Sequence, residues 1–222
     1  MASELEVGFR SLDGTASVGT AALPEQVTAG VAVLVHGAGV TWHEGGFFTR
    51  LAAGLSREGV SCLRFDLRAH GASGGRAREV TIAGVANDIR AASDHLRAEA
   101  GMDRPVHVIA ASFSGGAAAL HAAYRPQDVD RLVLLNPRLD WRDRYVTSRP
   151  YFDNDYIAAS AARDLDERGF TEKPLWGLGR ALHNEVFYLD LDVHLRQRRP
   201  PGVRGSGRAH GVGRRAARIR RG

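Results

Sequence analysis

Between residues 31 and 136 the chain alternates short apolar runs with stretches of helical period, and this alternation constrains its fold more than any other feature. Residues 31–35 (VAVLV), 60–65 (VSCLRF), 106–110 (VHVIA) and 132–135 (LVLL) read as strands. Short, nearly continuous apolar runs of this kind suit strands buried on both faces. Between them, Phe47, Phe48, Leu51 and Leu55 recur at helical spacing, which predicts a helix over 46–56. Ile82, Val85, Ile89, Ala92 and Leu96 recur every three or four residues, the stripe of an amphipathic helix. An alanine-rich helix is expected over 113–124. Strands separated by helices of this size imply βαβ units and a mainly parallel sheet. Ahead of them, 5–10 and 16–23 predict a hairpin on the sheet's edge.

After Asn136 the pattern changes. Residues 140–189 mix acids, helix formers and aromatics such as Trp141, Tyr145, Phe152 and Phe187, which predicts irregular helices forming a cap. Residues 196–222 hold ten arginines and no acidic residue. Such a stretch buries too little apolar surface to offset its ordering entropy, so disorder is expected there. The expected division is therefore a core over 1–139, a cap-like helical segment over 140–195 and an Arg/Gly-rich tail over 196–222. The formal net charge of +5 belongs to that tail, because removing it leaves 20 basic against 25 acidic residues. The tail's arginines lack interleaved aromatics, so nucleic-acid recognition by stacking is not expected. With 29 arginines to one lysine (Lys173), the composition is that of a GC-rich gene, and loss of acids and periodicity at one point predicts a shift of reading frame near Leu195.

A single cysteine, Cys62, excludes an internal disulfide framework and any multi-cysteine metal site. The apolar runs are far too short to span a bilayer. The opening residues lack the basic-then-apolar layout of a signal peptide, so a cytoplasmic location is expected.

Three loops carry residues suited to chemistry. Ala110-Ala111-Ser112-Phe113-Ser114-Gly115-Gly116 follows a strand and opens a helix. A nucleophile on a sharp strand-to-helix turn needs small residues two before and two after it, and Ser112 has Ala110 and Ser114 there. Ser114, flanked by Ser112 and Gly116, is the competitor; the strand ends at the better distance for Ser112. The bland alternative is a serine that caps the helix. His36-Gly37-Ala38-Gly39 follows the first buried strand, where a glycine-containing loop lets backbone N–H groups approach a ligand. Asp66-Leu67-Arg68-Ala69-His70-Gly71-Ala72-Ser73 follows the second; a hydrogen-bonded structural loop braced by Asp66 and Arg68 is expected there rather than a metal or acid–base site.

Together and in this order, these pieces resemble the α/β-hydrolase superfamily, particularly its serine aminopeptidase-like and small-ester esterase or lipase branch. That family shows a strand then His-Gly, a strand then Asp-x-Arg-Gly-His-Gly-x-Ser, and then the serine elbow. Here Ala69 stands in place of the usual glycine. The resemblance covers 30–136 strongly and the first 30 residues weakly. It implies an α/β-hydrolase fold, a mainly parallel sheet flanked by helices. It also implies acyl transfer on a small-molecule ester without a cofactor. Ser112 would be the nucleophile and the Ala38 and Phe113 amides the oxyanion hole. His36, Gly37, Asp66, Arg68, His70 and Gly71 would be loop residues, with no metal. The family order, serine then acid then histidine, places the last two beyond further strands. Two more βα units need on the order of 60 residues, so the last two strands are expected to be missing. Asp140 is the candidate acid, and the general base is unassigned among His183, His194 and His210. Two other readings stay open: a non-catalytic binding protein on the same scaffold, and a basic-tailed interaction protein.

Overall fold

The computed structural model describes residues 3–27, 29–147, 149–171, 177–191 and 194. Six strands form one sheet in the order β1-β2-β4-β3-β5-β6. β1 (Ser3–Arg10) and β2 (Ala16–Leu23) are the expected antiparallel hairpin, and β2 runs antiparallel to β4 (Val60–Phe65). β3 (Gly30–Val35) lies parallel between β4 and β5 (Val106–Ala111), and β6 (Val129–Leu135) extends the parallel set as the other edge. Every residue of β3 and β4 is buried, Ser61 and Arg64 included, as nearly continuous apolar runs suit.

Helices cover both faces. On one, α1 (Phe47–Arg57) inserts Phe48 and Ala52 against Ala32, Leu34, Cys62 and Ile109. On the other, α2 (Ile82–Glu99) and α3 (Phe113–Tyr124) close the larger core over Val33, Val35, Leu63 and Val108. The sheet is thus mostly parallel and flanked by helices, as expected. β6 begins three residues earlier than the apolar run suggested: Asp130 and Arg131, both exposed, lie in it where the register with β5 shifts.

The segment after β6 is helical over 141–147 and continues through α4 (Ala159–Glu167) and α5 (Arg180–Tyr188). It also contains two short hairpins that the aromatic-rich sequence did not announce. β7 (Phe152–Asp153) meets β8 (Tyr156–Ile157) through Asn154 and Asp155, both at positive φ, the backbone of a tight two-residue turn. β9 (Phe170–Thr171) pairs with β10 (Leu178–Gly179). Trp141, Leu178, Leu182 and Val186 share the larger core with α2 and α3, so this segment packs on the sheet domain. The expectations for the tail over 196–222, for Leu195 and for His210 lie outside the described residues.

The contact between this segment and α2 is also polar. The Glu185 carboxylate accepts the Ile82 and Ala83 N–H groups at 2.5 and 2.9 Å, while the Thr81 hydroxyl accepts the Gly84 N–H at 2.9 Å. Three of the N–H groups that a helix start leaves without an intrahelical partner are thereby satisfied. Thr81→Ala removes the cap and is expected to lower stability by about 1 kcal/mol in urea unfolding.

Candidate active site

β3, β4 and β5 run in one direction, so the loops after Val35, Phe65 and Ala111 meet at one edge of the sheet. This is where open parallel sheets hold their ligands. Ser112 sits at the point where β5 turns into α3, with φ 51° and ψ −116°. A non-glycine residue in such a backbone conformation costs on the order of 1–3 kcal/mol. The turn is held from three sides: Ser112 N–H donates to Leu135 C=O at 3.0 Å, and Ser112 C=O accepts from Gly115 N–H at 3.1 Å and Arg138 N–H at 2.8 Å. The Ser112 side chain makes no capping bond to α3.

Small neighbours make the turn possible. A Cβ on Gly115 would stand 2.7 Å from Pro137 Cβ, and one on Gly116 would stand 2.5 Å from Arg138 C=O. Ser114, the competing serine, is fully buried, and its hydroxyl lies 2.9 Å from both the Val35 and the Ala111 carbonyls. It fastens the elbow to the end of β3. Ser112 is half-buried.

The loop after β3 lies against this serine. A Cβ on Gly37 would be 3.1 Å from Ser112 Cβ, so only glycine allows this approach without displacing the serine. Gly37 N–H donates to Glu44 at 2.8 Å, and Gly39 N–H donates to His70 Nε2 at 3.0 Å. Ala38, between them, is half-buried, and no hydrogen bond engages its N–H among the described residues. Phe113, buried, is the first residue of α3.

His36 is fully buried and works as a cross-brace. Its Nε2 accepts the Leu67 N–H at 3.0 Å, which requires the proton on Nδ1, 2.7 Å from Gly37 C=O. Burial holds its pKa down at about 4, with the neighbouring His70 adding to the depression against the opposing pull of the Gly37 carbonyl and Asp66. His70 is arranged alike: Nε2 receives Gly39 N–H, so Nδ1 carries the proton, 2.9 Å from Arg68 C=O. Asp66, also buried, accepts the Trp42 and Ala72 N–H groups at 3.0 and 2.8 Å. A Cβ on Gly71 would fall on the Asp66 carboxylate, and Gly71 has φ +49°.

Arg68 points away from the serine. Its Nε and Nη2 clasp both oxygens of the fully buried Asp88 of α2, at 2.9 and 2.7 Å. Its Nη1 reaches Asp13 at 2.7 Å and its Nη2 reaches Ser11 at 3.1 Å, in the turn of the β1–β2 hairpin. Hydrogen bonding to Arg68 holds the Asp13 carboxyl down at about 2, against the opposing effect of its partial burial. In this arrangement the second loop acts as a brace. It ties α2, the hairpin and the Gly37 loop into one frame.

Neither Asp140 nor any histidine is hydrogen-bonded to Ser112 among the described residues. Asp140 is exposed and accepts the Asp143 N–H at 2.7 Å, capping the helical turn that follows; no histidine is bonded to it among the described residues. His183 bonds Thr171 at 3.0 Å between Tyr151 and Phe152, and His194 bonds Tyr124 at 3.0 Å. His43 is engaged by Trp42 and Thr49, and His107 lies 3.2 Å from Asp130. His95 stacks on Phe9, and His121 lies nine residues along α3, roughly 13 Å from the serine at 1.5 Å per residue. Cys62 is buried in β4 with its thiol pushed up to about 12 by burial, so it is no nucleophile.

The family described as serine aminopeptidase, S33 matches residues 26–166, which span β3 to α4 and include both the Gly37 loop and the elbow. The chain belongs to this family of α/β-hydrolases. No curated protein matches it. Among solved structures it is similar to the α/β hydrolase GrgF from Penicillium sp. sh18, at 17% identity and a TM-score of 0.62, covering 88% of this chain and 78% of that one. It is also similar to Est1E from Butyrivibrio proteoclasticus, solved with ferulic acid, at 18% identity and a TM-score of 0.64 over 85% and 70% of the two chains. Dienelactone hydrolase from Anabaena variabilis ATCC 29413 is 25% identical with a TM-score of 0.53, over 63% of this α/β-hydrolase and 65% of that chain. No helix among the described residues is long and apolar enough to cross a membrane.

Proposed function

We propose that this α/β-hydrolase cleaves small carboxylic esters through an acyl-enzyme on Ser112. The observation that carries the reading is the backbone of Ser112. Among the described residues no hydrogen bond engages this hydroxyl on its strained turn, while Ser114 beside it is spent on the scaffold. The hydroxyl attacks the ester carbonyl and gives its proton to solvent water, and the Ala38 and Phe113 amides receive the oxyanion at the N-terminus of α3, whose dipole favours negative charge. The C–O bond to the alcohol then breaks, the alcohol leaves with a proton from water, and a second water releases the acid from Ser112. His36 and His70 each hold both ring nitrogens in backbone contacts, so neither takes the serine proton without breaking the frame. Among the described residues no base is positioned at Ser112, and an elbow and oxyanion hole acting without one retain only part of a triad's rate, so slow turnover is expected.

A second reading, a binding protein that keeps the pocket without catalysis, is favoured because no histidine is hydrogen-bonded to Ser112 among the described residues. One experiment separates the two. A fluorophosphonate probe is expected to label the folded protein slowly, the adduct to map to Ser112, and labelling to vanish in Ser112→Ala. Absence of labelling in protein that still unfolds cooperatively would overturn the hydrolase reading for this chain and leave the binding protein.

A further inference from the structure

The loop after β3 carries consecutive peptide groups beside the serine, and each is pinned by a different side chain. The peptide between His36 and Gly37 gives its N–H to the Glu44 carboxylate at 2.8 Å. The peptide between Gly37 and Ala38 has its C=O 2.7 Å from His36 Nδ1, the nitrogen that carries the proton. The peptide between Ala38 and Gly39 gives its N–H to His70 Nε2 at 3.0 Å. A trans peptide is planar, with its C=O and N–H on opposite sides. The bond from His36 therefore turns the Ala38 N–H to the far side of the middle plane, where no hydrogen bond engages it among the described residues. The backbone alone does not fix these planes. Glycine flanks Ala38 on both sides, with Gly39 at φ +81°, and glycine lets a peptide plane turn at little steric cost.

His36 and His70 are buried parts of the frame between the loops, whereas Glu44 is half-buried and comes from the far end of the same loop, just before α1. Its backbone aims the carboxylate. Glu44 N–H donates to Thr41 C=O at 2.9 Å, and Trp42 N–H fastens this turn to Asp66 at 3.0 Å. Glu44 itself has φ 45°, a backbone that is costly for any residue but glycine. Its neighbours Gly45 and Gly46 share the left-handed region, with φ 62° and 84°. What glutamate adds at this strained position is its side chain, and that side chain bonds Gly37. We propose that Glu44 is a positioning residue for the oxyanion loop: by accepting the Gly37 N–H it locks the peptide adjoining the one whose N–H receives the oxyanion. This rests on the reading of Ser112 as nucleophile. Glu44 does not touch the ester; it acts through the backbone of Gly37 and Ala38. A donor already aimed where charge develops is worth more than one that must reorient during the reaction. The carboxylate's charge is not what the role needs, because a neutral amide oxygen in the same place accepts the same N–H.

The test is fluorophosphonate labelling of the full chain, resolved into kinact and KI, for the unaltered protein, Glu44→Gly and Glu44→Gln at a temperature where all three are folded. Glycine suits the backbone at position 44, so its variant loses the carboxylate without adding strain. Glu44→Gly is expected to lower kinact by about tenfold or more with KI unchanged, because the oxyanion contact is made only in the transition state. Glu44→Gln is expected to keep at least about half of the original kinact. A role confined to stability would leave both constants of the folded protein where they were. Hydrogen exchange of the Gly37 amide gives a reading independent of the reaction: it is expected to quicken in Glu44→Gly and not in Glu44→Gln. If the unaltered protein is not labelled, the reading of Ser112 fails and takes this role with it. If it is labelled and Glu44→Gly reacts equally fast, the positioning role alone is overturned. A glutamine variant as slow as the glycine one overturns it too, since charge and not the hydrogen bond would then be responsible.

Discussion

Replacing Arg68 with methionine is expected to destabilise the protein by about 3–5 kcal/mol, because it strands a buried charge. Asp88 is fully buried in α2, and both its oxygens are held by this one guanidinium. Methionine fills much of the same volume but leaves the carboxylate without its cation, and it also releases Asp13 and Ser11 in the hairpin turn. The packing leaves little room for relaxation: a Cβ on Gly84 would lie 2.7 Å from Arg68 Nη1, so the helix already gives way to the guanidinium. A loss of this size moves the melting temperature of a domain this large by roughly 10 °C. Urea unfolding of the single variant and of Arg68→Met/Asp88→Leu measures it. The double variant is expected to recover most of the loss, since removing both partners abolishes the unpaired charge. A single-variant loss below about 1 kcal/mol would show that the pair behaves like an exposed one.

Stability is also expected to fall by about 3 kcal/mol between pH 6.5 and pH 4 on account of His36 alone. The folded protein holds this imidazole down at about 4, whereas the unfolded chain binds a proton near 6.5. Above 6.5 neither state is charged there, and the contribution is fully present. As pH falls the unfolded state takes up the proton first, and stability drains away until the folded state is protonated too. His36→Gln cannot titrate there and is expected to lose about 3 kcal/mol less over this interval while starting from a lower stability at pH 7.5. Parallel pH profiles for the two proteins would rule the assignment out. Asp13, held at about 2 by Arg68, acts in a separate window: its stabilisation is present above the ordinary carboxylate range and fades as pH falls through it.

The parallel core was legible because its code is local. An unbroken apolar run marks a strand buried on both faces, and the stripe through Ile82, Val85 and Ile89 marks the buried side of α2; neither needs knowledge of distant residues. The start of β6 was hidden, because the exposed Asp130 and Arg131 lie in it where the register with β5 shifts. The two-residue strands after β6 are too short to leave a period. At the site, the spacing of small residues singled out Ser112, but the role of Ser114 depends on the Val35 carbonyl, 79 positions away. The partners of Arg68 lie 20 and 55 positions off, and Glu185 caps a helix more than 100 residues upstream. Such pairings belong to the assembled chain, and one sequence carries no local trace of them.

The burial of Cys62 turns the central sheet into its own clock. The thiol is sealed within β4, between β2 and β3, and is kept from ionising at neutral pH. A maleimide or disulfide reagent added to the native protein must wait for those strands to part. With no other cysteine in the chain to blur the signal, the rate of its consumption reads out how often the middle of the molecule opens.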